Sequence, residues 1–400
     1  MEKGLNQSKI TALFLNSGIL GQRTFAQFVD RFVRDRDGIE VIQEIVTENL
    51  TFGERVVRRI LCQRLWRDGW FGLKNMDFLR FRAELNAGWG ARRRMRLLER
   101  QGKRFDVIHF HRQTMAYAMV LRMREIPSVV SIDCTQRCVY QAAGHALERW
   151  TYEPNIRRDG RIFRQAKAII STSQWAADCV KEEYPDVHCE IDVMQNPVAL
   201  SAFDPSWPAE RAARAELPSF PPRLLFVGGD FPRKGGPVLL EAWRQGGFGE
   251  RARLTIVTSW PLPPEQIPPG VEVITNVGAY SEVWKKLYRT ADIFVMPTEN
   301  EAFGMVYQEA AAAGLPCIGT RHNAVPEIVL HERTGLLVKP GDVAGLTEAI
   351  RTLLADPARR LAYGRAARAH IEQIADADLY AENLVGILRR AARASVAAHR

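Results

Sequence analysis

Twice along the chain, short apolar runs alternate with stretches of helical character, and this repetition restricts the fold more than any other feature. In the first half, Ile10–Leu15, Ile39–Val46, Phe105–His109, Ser128–Ile132, Ala168–Ser171 and Ile191–Gln195 read as strands. Thr24–Val33, Met115–Arg124, Leu147–Phe163 and Gln174–Glu183 read as helices between them. Such alternation implies parallel strands, because a parallel pair needs a crossover connection. The second half repeats the style, with strands at Leu224–Val227, Leu254–Thr258, Val271–Thr275, Ile293–Met296, Cys317–Gly319 and Leu336–Val338. Its helices read as Gly235–Arg244, Ser281–Arg289, Tyr307–Ala313 and Val343–Leu354. Four hundred residues also exceed one ordinary hydrophobic core. The reading is an α/β chain of two units, 1–197 and 198–375, with a cleft between them. The proline- and alanine-rich stretch ending at Pro222 reads as the linker, and 376–400 as a helix packing back on the first unit.

No run approaches the ~18 apolar residues that argue a membrane span, and Ile10–Leu15 is too short for a secretory signal. A cytoplasmic protein is expected. The six cysteines form no CxxC pair and no paired histidine spacing. Cys134 and Cys138 are the nearest pair and nothing completes a metal site around them, so free thiols in a reducing cytoplasm and no metal are the expectation. The net charge of +9 is uneven: residues 51–104 hold fifteen Lys or Arg against five Asp or Glu, beside Trp66, Trp70, Phe71, Phe78, Phe81 and Trp89. Basic residues interleaved with aromatics suit an anionic membrane surface or a nucleic acid. The plainer reading is a solvated helical face over core aromatics.

Chemistry concentrates in the second half. Glu301-Ala-Phe-Gly-Met-Val-Tyr-Gln-Glu309 places one carboxylate on the loop after a strand and another on the following helix. Open α/β sheets bind ligands beyond the carboxyl ends of their strands. There the free amides around Gly304, Met305 and Val306 would attract a phosphate, and the two acids would accept hydrogen bonds from sugar hydroxyls. Upstream, Val227 is followed by glycines, Arg233, Lys234 and more glycines opening a helix. A departing diphosphate needs its charge neutralised, and an Arg fork with a Lys point charge can do so in place of a metal. Alone, this would be a basic surface turn. Asp35-Arg-Asp37 and Asp376-Ala-Asp378 match a metal-binding DxD pattern, but they sit in a turn and at a helix start, where Asp is favoured anyway.

Five ordered stretches resemble family 4 of the retaining glycosyltransferases: Phe226 to Gly236, Leu287 to Pro297, Glu301 to Glu309, Val325 to Ile328 and Thr334 to Leu337. The resemblance implies the GT-B fold of two facing Rossmann-like domains with an inter-domain cleft. It implies that Glu309 holds ribose hydroxyls, Glu301 touches the donor sugar and Lys234 holds the diphosphate. The family often has an Arg after the first glycine of this loop; Gly229 stands there, so Arg233 is assigned that role. Phe303, Gly304, Met305 and Val306 line the nucleotide side, and Gly278 lies near the base. In the first half the resemblance is looser. Gly18 and Gly21 follow the first strand where the family has a glycine loop, and His111 matches the active-site histidine. Asp133 stands where many relatives carry a histidine.

The expected activity is retaining, metal-independent transfer of a hexosyl group from a nucleotide-diphosphate sugar to a glycan or lipid-linked acceptor. No cofactor and no nucleic-acid partner are expected, and residues 51–104 would meet the inner face of the cytoplasmic membrane. His111 and Glu301 would position the donor ring, with covalent attack by Glu301 as the alternative. An epimerase or phosphorylase would share such a cleft. A basic membrane- or nucleic-acid-binding protein would explain residues 51–104 but not two acids beside a phosphate site. A dinucleotide oxidoreductase would need a GxGxxG spacing that the first loop lacks.

Overall fold

A computed structural model describes residues 9–18, 21–48, 50–65, 75–141, 146–215 and 221–397. Trp66, Trp70 and Phe71 lie outside the described residues. The chain divides into two compact units, one of residues 1–195 with 377–400 and one of residues 196–376.

The first unit holds strands β1 (Ile10–Asn16), β2 (Ile39–Ile45), β3 (Val107–His111), β4 (Ser128–Ile132), β5 (Ala168–Ser171) and β6 (Glu190–Val193). Its α-helices are α1 (Gly21–Phe28), α2 (Phe52–Leu61), α3 (Leu79–Arg100), α4 (Gln136–Gln141), α5 (Glu153–Gln165) and α6 (Gln174–Glu183). The strands form one parallel sheet in the order β2-β1-β3-β4-β5-β6. Along β1, side chains alternate between two cores, as a strand covered on both faces requires. Ala12 and Phe14 pack with Phe25 and Phe28, while Leu13 and Leu15 pack with Met95, Ile108 and Phe110.

The second unit holds β7 (Arg223–Val227), β8 (Arg253–Val257), β9 (Val271–Ile274), β10 (Ile293–Val295), β11 (Cys317–Thr320) and β12 (Gly335–Val338). Its helices are α7 (Trp207–Ala215), α8 (Gly236–Gln245), α9 (Glu282–Thr290), α10 (Met305–Ala312), α11 (Val325–Ile328), α12 (Val343–Ala355) and α13 (Pro357–Ile374). The sheet runs β12-β11-β10-β7-β8-β9, all parallel, which is the dinucleotide-fold order written from its other edge. The final helix, α14 (Ala377–Ala397), belongs to the first unit. Tyr380, Leu384 and Leu388 of α14 complete the core that contains Phe14 and Phe25.

Some readings change; the span 147–163, read as one helix, is a 3-10 stretch (Ala146–Tyr152) followed by α5. Residues 198–222 are more than a linker. Trp207 and Arg211 of α7 are buried in the second unit. The Arg211 guanidinium donates to the carbonyls of Ala291 (2.6 Å), Gly314 (3.1 Å), Ala313 (3.2 Å) and Tyr288 (3.3 Å). Met115–Arg124 is no α-helix; it is a chain of tight turns with short 3-10 pieces at Gln113–Ala116 and Arg122–Arg124. Tyr117 there reaches Asp159 with its hydroxyl (3.2 Å), a contact from 42 residues away that local propensity does not encode.

Candidate active site

In the second unit the chain leaves β7 toward β8 and leaves β10 toward β11 in the opposite sense, so a crevice opens beyond the carboxyl ends of β7 and β10. The loop after β7 carries Arg233 and Lys234, and the loop after β10 carries Glu301. The two loops are stitched together: the Arg233 carbonyl accepts from the Glu299 amide (3.0 Å) and the Thr298 hydroxyl (3.2 Å). Gly235 makes this approach possible. It has φ of +76°, and a Cβ there would lie 1.8 Å from the Pro297 carbonyl oxygen.

Lys234 and Glu301 therefore meet as a mostly buried ion pair, 14% and 13% exposed. Arg233 stands beside them, its Nη1 3.9 Å from Glu301 Oε2. Its Nε pairs with Asp230 (3.1 Å), and Nη1 also donates to the Asn300 carbonyl (2.7 Å). Burial first, then the neighbouring Arg233 charge, pulls Lys234 down to about 8, against the pull of Asp230. From the loop after β11, Asn323 donates to the Glu301 carbonyl (3.1 Å).

Gly304 caps α10 in the left-handed region, with φ of 92° and no side-chain cap. A Cβ there would crowd the Tyr307 ring at 2.8 Å. The amides of Gly304, Met305 and Val306 have no protein partner among the described residues. Three free donors at the positive end of a helix form an anion-binding surface. Phe303 beside them is buried, and Met305 and Val306 are half-buried. Glu309, one turn further along α10, takes a different partner: the Tyr288 hydroxyl of α9 donates to its Oε2 (3.0 Å). Burial raises Glu309 to about 7, with the Tyr288 hydrogen bond opposing the rise. Gly278, before α9, is exposed with open space at its Cβ position.

The first unit has its own reversal between β1 and β3. Gly18 follows β1 at positive φ, Gly21 opens α1, and His111 ends β3. The His111 ring stacks on Phe25 at 3.7 Å between centroids and 3° between planes. His109 Nε2 lies 2.8 Å from Ser131 Oγ. Burial brings His109 down to about 3; burial, then His109 and Arg112, hold His111 well below its usual value. Both rings are neutral at physiological pH. The Nδ1 atoms of both are buried without a partner among the described residues. Asp133 is paired with Arg112.

Residues 63–202 match the family described as Glycosyltransferase Family 4, and residues 221–356 match Glycosyl transferases group 1; together they cover more than half of the chain. A D-inositol 3-phosphate glycosyltransferase of Pseudarthrobacter chlorophenolicus is 31% identical over 284 residues, 66% of this chain and just under two thirds, 66%, of that protein. The chain belongs to glycosyltransferase family 4. A further family relative is a GDP-mannose-dependent monoacylated alpha-(1-6)-phosphatidylinositol monomannoside mannosyltransferase of Corynebacterium glutamicum. It is 27% identical over 323 residues, covering 71% of this chain and 84% of that protein. The structure of sucrose-phosphate synthase from Thermosynechococcus elongatus matches 96% of this chain and 99% of its own, with a TM-score of 0.70 at 17% identity. The family's GT-B fold is thereby shown for the chain.

In this family 4 chain the reversal between β7 and β10 brings Arg233, Lys234 and Glu301 together, with Glu309 in a separate pair on the same helix that offers its amides. Tyr288, Asp230, Asn323 and Thr298 were given no role from the sequence. Tyr288 lies within the Leu287 to Pro297 stretch, yet only the folded chain shows that its hydroxyl faces Glu309. A cavity of about 1180 Å³ in the second unit involves none of these groups; Phe203, Trp207, Lys285, Arg289 and Arg368 are among its walls. In the first unit an apolar cavity of about 490 Å³ lies between α2 and α3, with Ser17, Thr47, Arg58 and Arg93 at its walls. The aromatic-basic stretch resolves into two helices of different character. Helix α2 has no buried residue, and Phe52 (75%) and Ile60 (59%) are exposed beside Arg55 and Arg59. Trp89 of α3 is also exposed, whereas Ala91 and Met95 are core.

Proposed function

We propose that this glycosyltransferase transfers a hexosyl group, with retention and without a metal, from a nucleotide-diphosphate sugar to a glycan or lipid-linked acceptor. The observation that carries the reading is the Lys234–Glu301 pair with Arg233, set at the β7/β10 reversal. Glu301 is the counter-ion of Lys234. An arriving diphosphate competes for Lys234 and Arg233 and for the amides of residues 304–306, which frees Glu301 to accept sugar hydroxyls. Glu309 accepts from the ribose. The C1–phosphate bond then breaks with oxocarbenium character, and the acceptor oxygen bonds C1 on the face the phosphate leaves. The departing phosphate oxygen takes the acceptor proton, so no protein base is needed on that face. Glu301 positions the sugar in this scheme.

Binding of a panel of nucleotide-sugars, read calorimetrically, tests the donor side. Lys234→Ala and Glu309→Ala are each expected to weaken binding at least tenfold, and unchanged affinity in both overturns the reading. Added Mg2+ or Mn2+ is expected to change the transfer rate less than twofold.

On the acceptor side, α2 and the apolar cavity beside it suit a lipid-linked substrate at an anionic bilayer on the cytoplasmic side. A helix with exposed Phe52 and Ile60 beside arginines has the composition of an interfacial helix. Among the described residues no helix is long and apolar enough to cross a membrane. Flotation with phosphatidylglycerol vesicles at low salt is the check. Phe52→Ser with Ile60→Ser is expected to abolish capture, and wild-type protein that fails to float removes the membrane partner.

A further inference from the structure

We infer that Cys138, Cys179 and Glu183 of the first unit form a binding site for a thiophilic divalent cation, with Zn2+ as the fitting ion. The inference is independent of the donor assignment. Cys179 and Glu183 are four residues apart on α6 and so share one helix face. Cys138 comes to them from α4, 41 residues earlier than Cys179. The two sulfurs are 3.4 Å apart, Cys138 Sγ is 3.8 Å from Glu183 Oε1, and the three donor atoms lie within 4.8 Å of one another. Zinc–sulfur bonds of about 2.3 Å at a tetrahedral angle put two thiolates about 3.7 Å apart, so the pair needs to open by only a few tenths of an ångström. A disulfide would require the sulfurs to close to about 2.05 Å, a larger movement.

The surroundings fit a metal site as well. The Thr135 hydroxyl holds Glu183 Oε2 and lies 3.2 Å from Cys138 Sγ, which leaves Oε1 turned toward the sulfurs. Such second contacts orient metal ligands. All three ligands are half-buried, so an ion has a way in, and a fourth position is left for water. Two soft thiolates select zinc over magnesium or calcium. As each Zn–S bond forms, the thiol proton passes to solvent. Two thiolates and a carboxylate around a divalent ion leave one negative charge, which Arg137 next to Cys138, acting on Glu183, offsets. The ion would tie α4, which follows β4, to α6, which follows β5, across adjacent strands of one sheet.

The test uses the full-length protein purified under reduction without chelators. Co2+ titration of the metal-stripped chain is expected to give one equivalent with an intense thiolate-to-cobalt charge-transfer band and four-coordinate visible bands. Zn2+ is expected to displace it. Cys138→Ser and Cys179→Ser should each lose the band and at least 100-fold in affinity, Glu183→Gln about tenfold, and Cys134→Ser nothing. Circular dichroism checks that each variant is folded. Should a Cys variant fail to fold, the wild type alone decides, because Zn2+ must raise its melting temperature and Mg2+ must not. Binding without the charge-transfer band, binding unchanged by the cysteine variants, or a reduced wild type that takes up no metal each overturns the assignment.

Discussion

The two sheets reverse their winding in the same way, yet the carboxyl ends of β7 and β10 gather a buried Lys–Glu pair with an Arg, while those of β1 and β3 present neutral rings with one Arg112–Asp133 pair beside them. At β7/β10, Lys234 and Arg233 are held ready by Glu301 and Asp230, so fixed charge is stored in a partly desolvated place. At β1/β3, His111 lies flat on Phe25 and His109 binds Ser131, and burial keeps both uncharged. Topology decides where a crevice forms, but the loop residues decide what it can bind. A stored ion pair suits a ligand that arrives as a polyanion. A neutral imidazole suits hydroxyl groups and costs nothing in charge desolvation when a sugar covers it.

The largest expected effect breaks the ionic side of this contrast. Lys234→Ala removes the closest counter-ion of a Glu301 carboxylate that is only 13% exposed. Loss of one preorganised charge at a reacting phosphate costs about 10²–10³ in kcat/KM. Stability should fall as well, by about 1–2 kcal/mol, because Arg233 at 3.9 Å is a partial substitute. Lys234→Met combined with Glu301→Gln should recover the stability and none of the activity. If Lys234→Ala keeps wild-type kcat/KM, the ion pair is architectural and the contrast between the two edges has no chemical meaning.

Particular residues show how far the sequence could be read. Helix α6 and strands β4 and β5 occupy the residues that their apolar patterns mark, because Ser173 caps α6 and the strands are buried on both faces. The glycines around Lys234 and at Gly304 also carried their meaning locally, since tight loops against a helix start require them. Contacts between distant segments were not legible. Arg211 was hidden in a Pro- and Ala-rich stretch because its partners lie 77 to 103 residues further on. Tyr288 meets Glu309 only through a side-chain contact across 21 residues of chain. Cys138 looked isolated because its neighbours, Cys179 and Glu183, are supplied by another helix.

A middle-sized effect sharpens the contrast through pH. The free protein's groups govern kcat/KM. Glu309 sits near 7, so below that value it is protonated and cannot accept from both ribose hydroxyls. Lys234 sits near 8, so above that value it loses its charge. A narrow bell is expected, with kcat/KM about sixfold lower at pH 6 than at its maximum. Glu309→Gln should lower the maximum and flatten the acid limb while the alkaline limb stays. An acid limb that survives in Glu309→Gln assigns that limb elsewhere.

The smallest effect concerns stability, and its sign should differ between the two units. Glu309 has a folded value near 7 against 4.5 for the free group, so the folded chain binds the extra proton. Its contribution favours folding below about 4.5 and is lost as pH rises through 7. His109 is the reverse: its folded value is near 3 against 6.5, so the unfolded chain binds the extra proton. That contribution is full above 6.5 and is lost as pH falls toward 3. Between pH 7 and 5, protection factors of β3 amides, with the intrinsic exchange rate divided out, should therefore fall as acid is added, while those of α10 amides should rise. Hydrogen exchange read on peptides covering 107–111 and 305–312 measures both at once; the β3 slope should shrink in His109→Asn, with the share of buried His111 remaining, and the α10 slope should vanish in Glu309→Gln. Slopes of the same sign in both peptides would mean that a shared charge, rather than these two buried groups, sets the response.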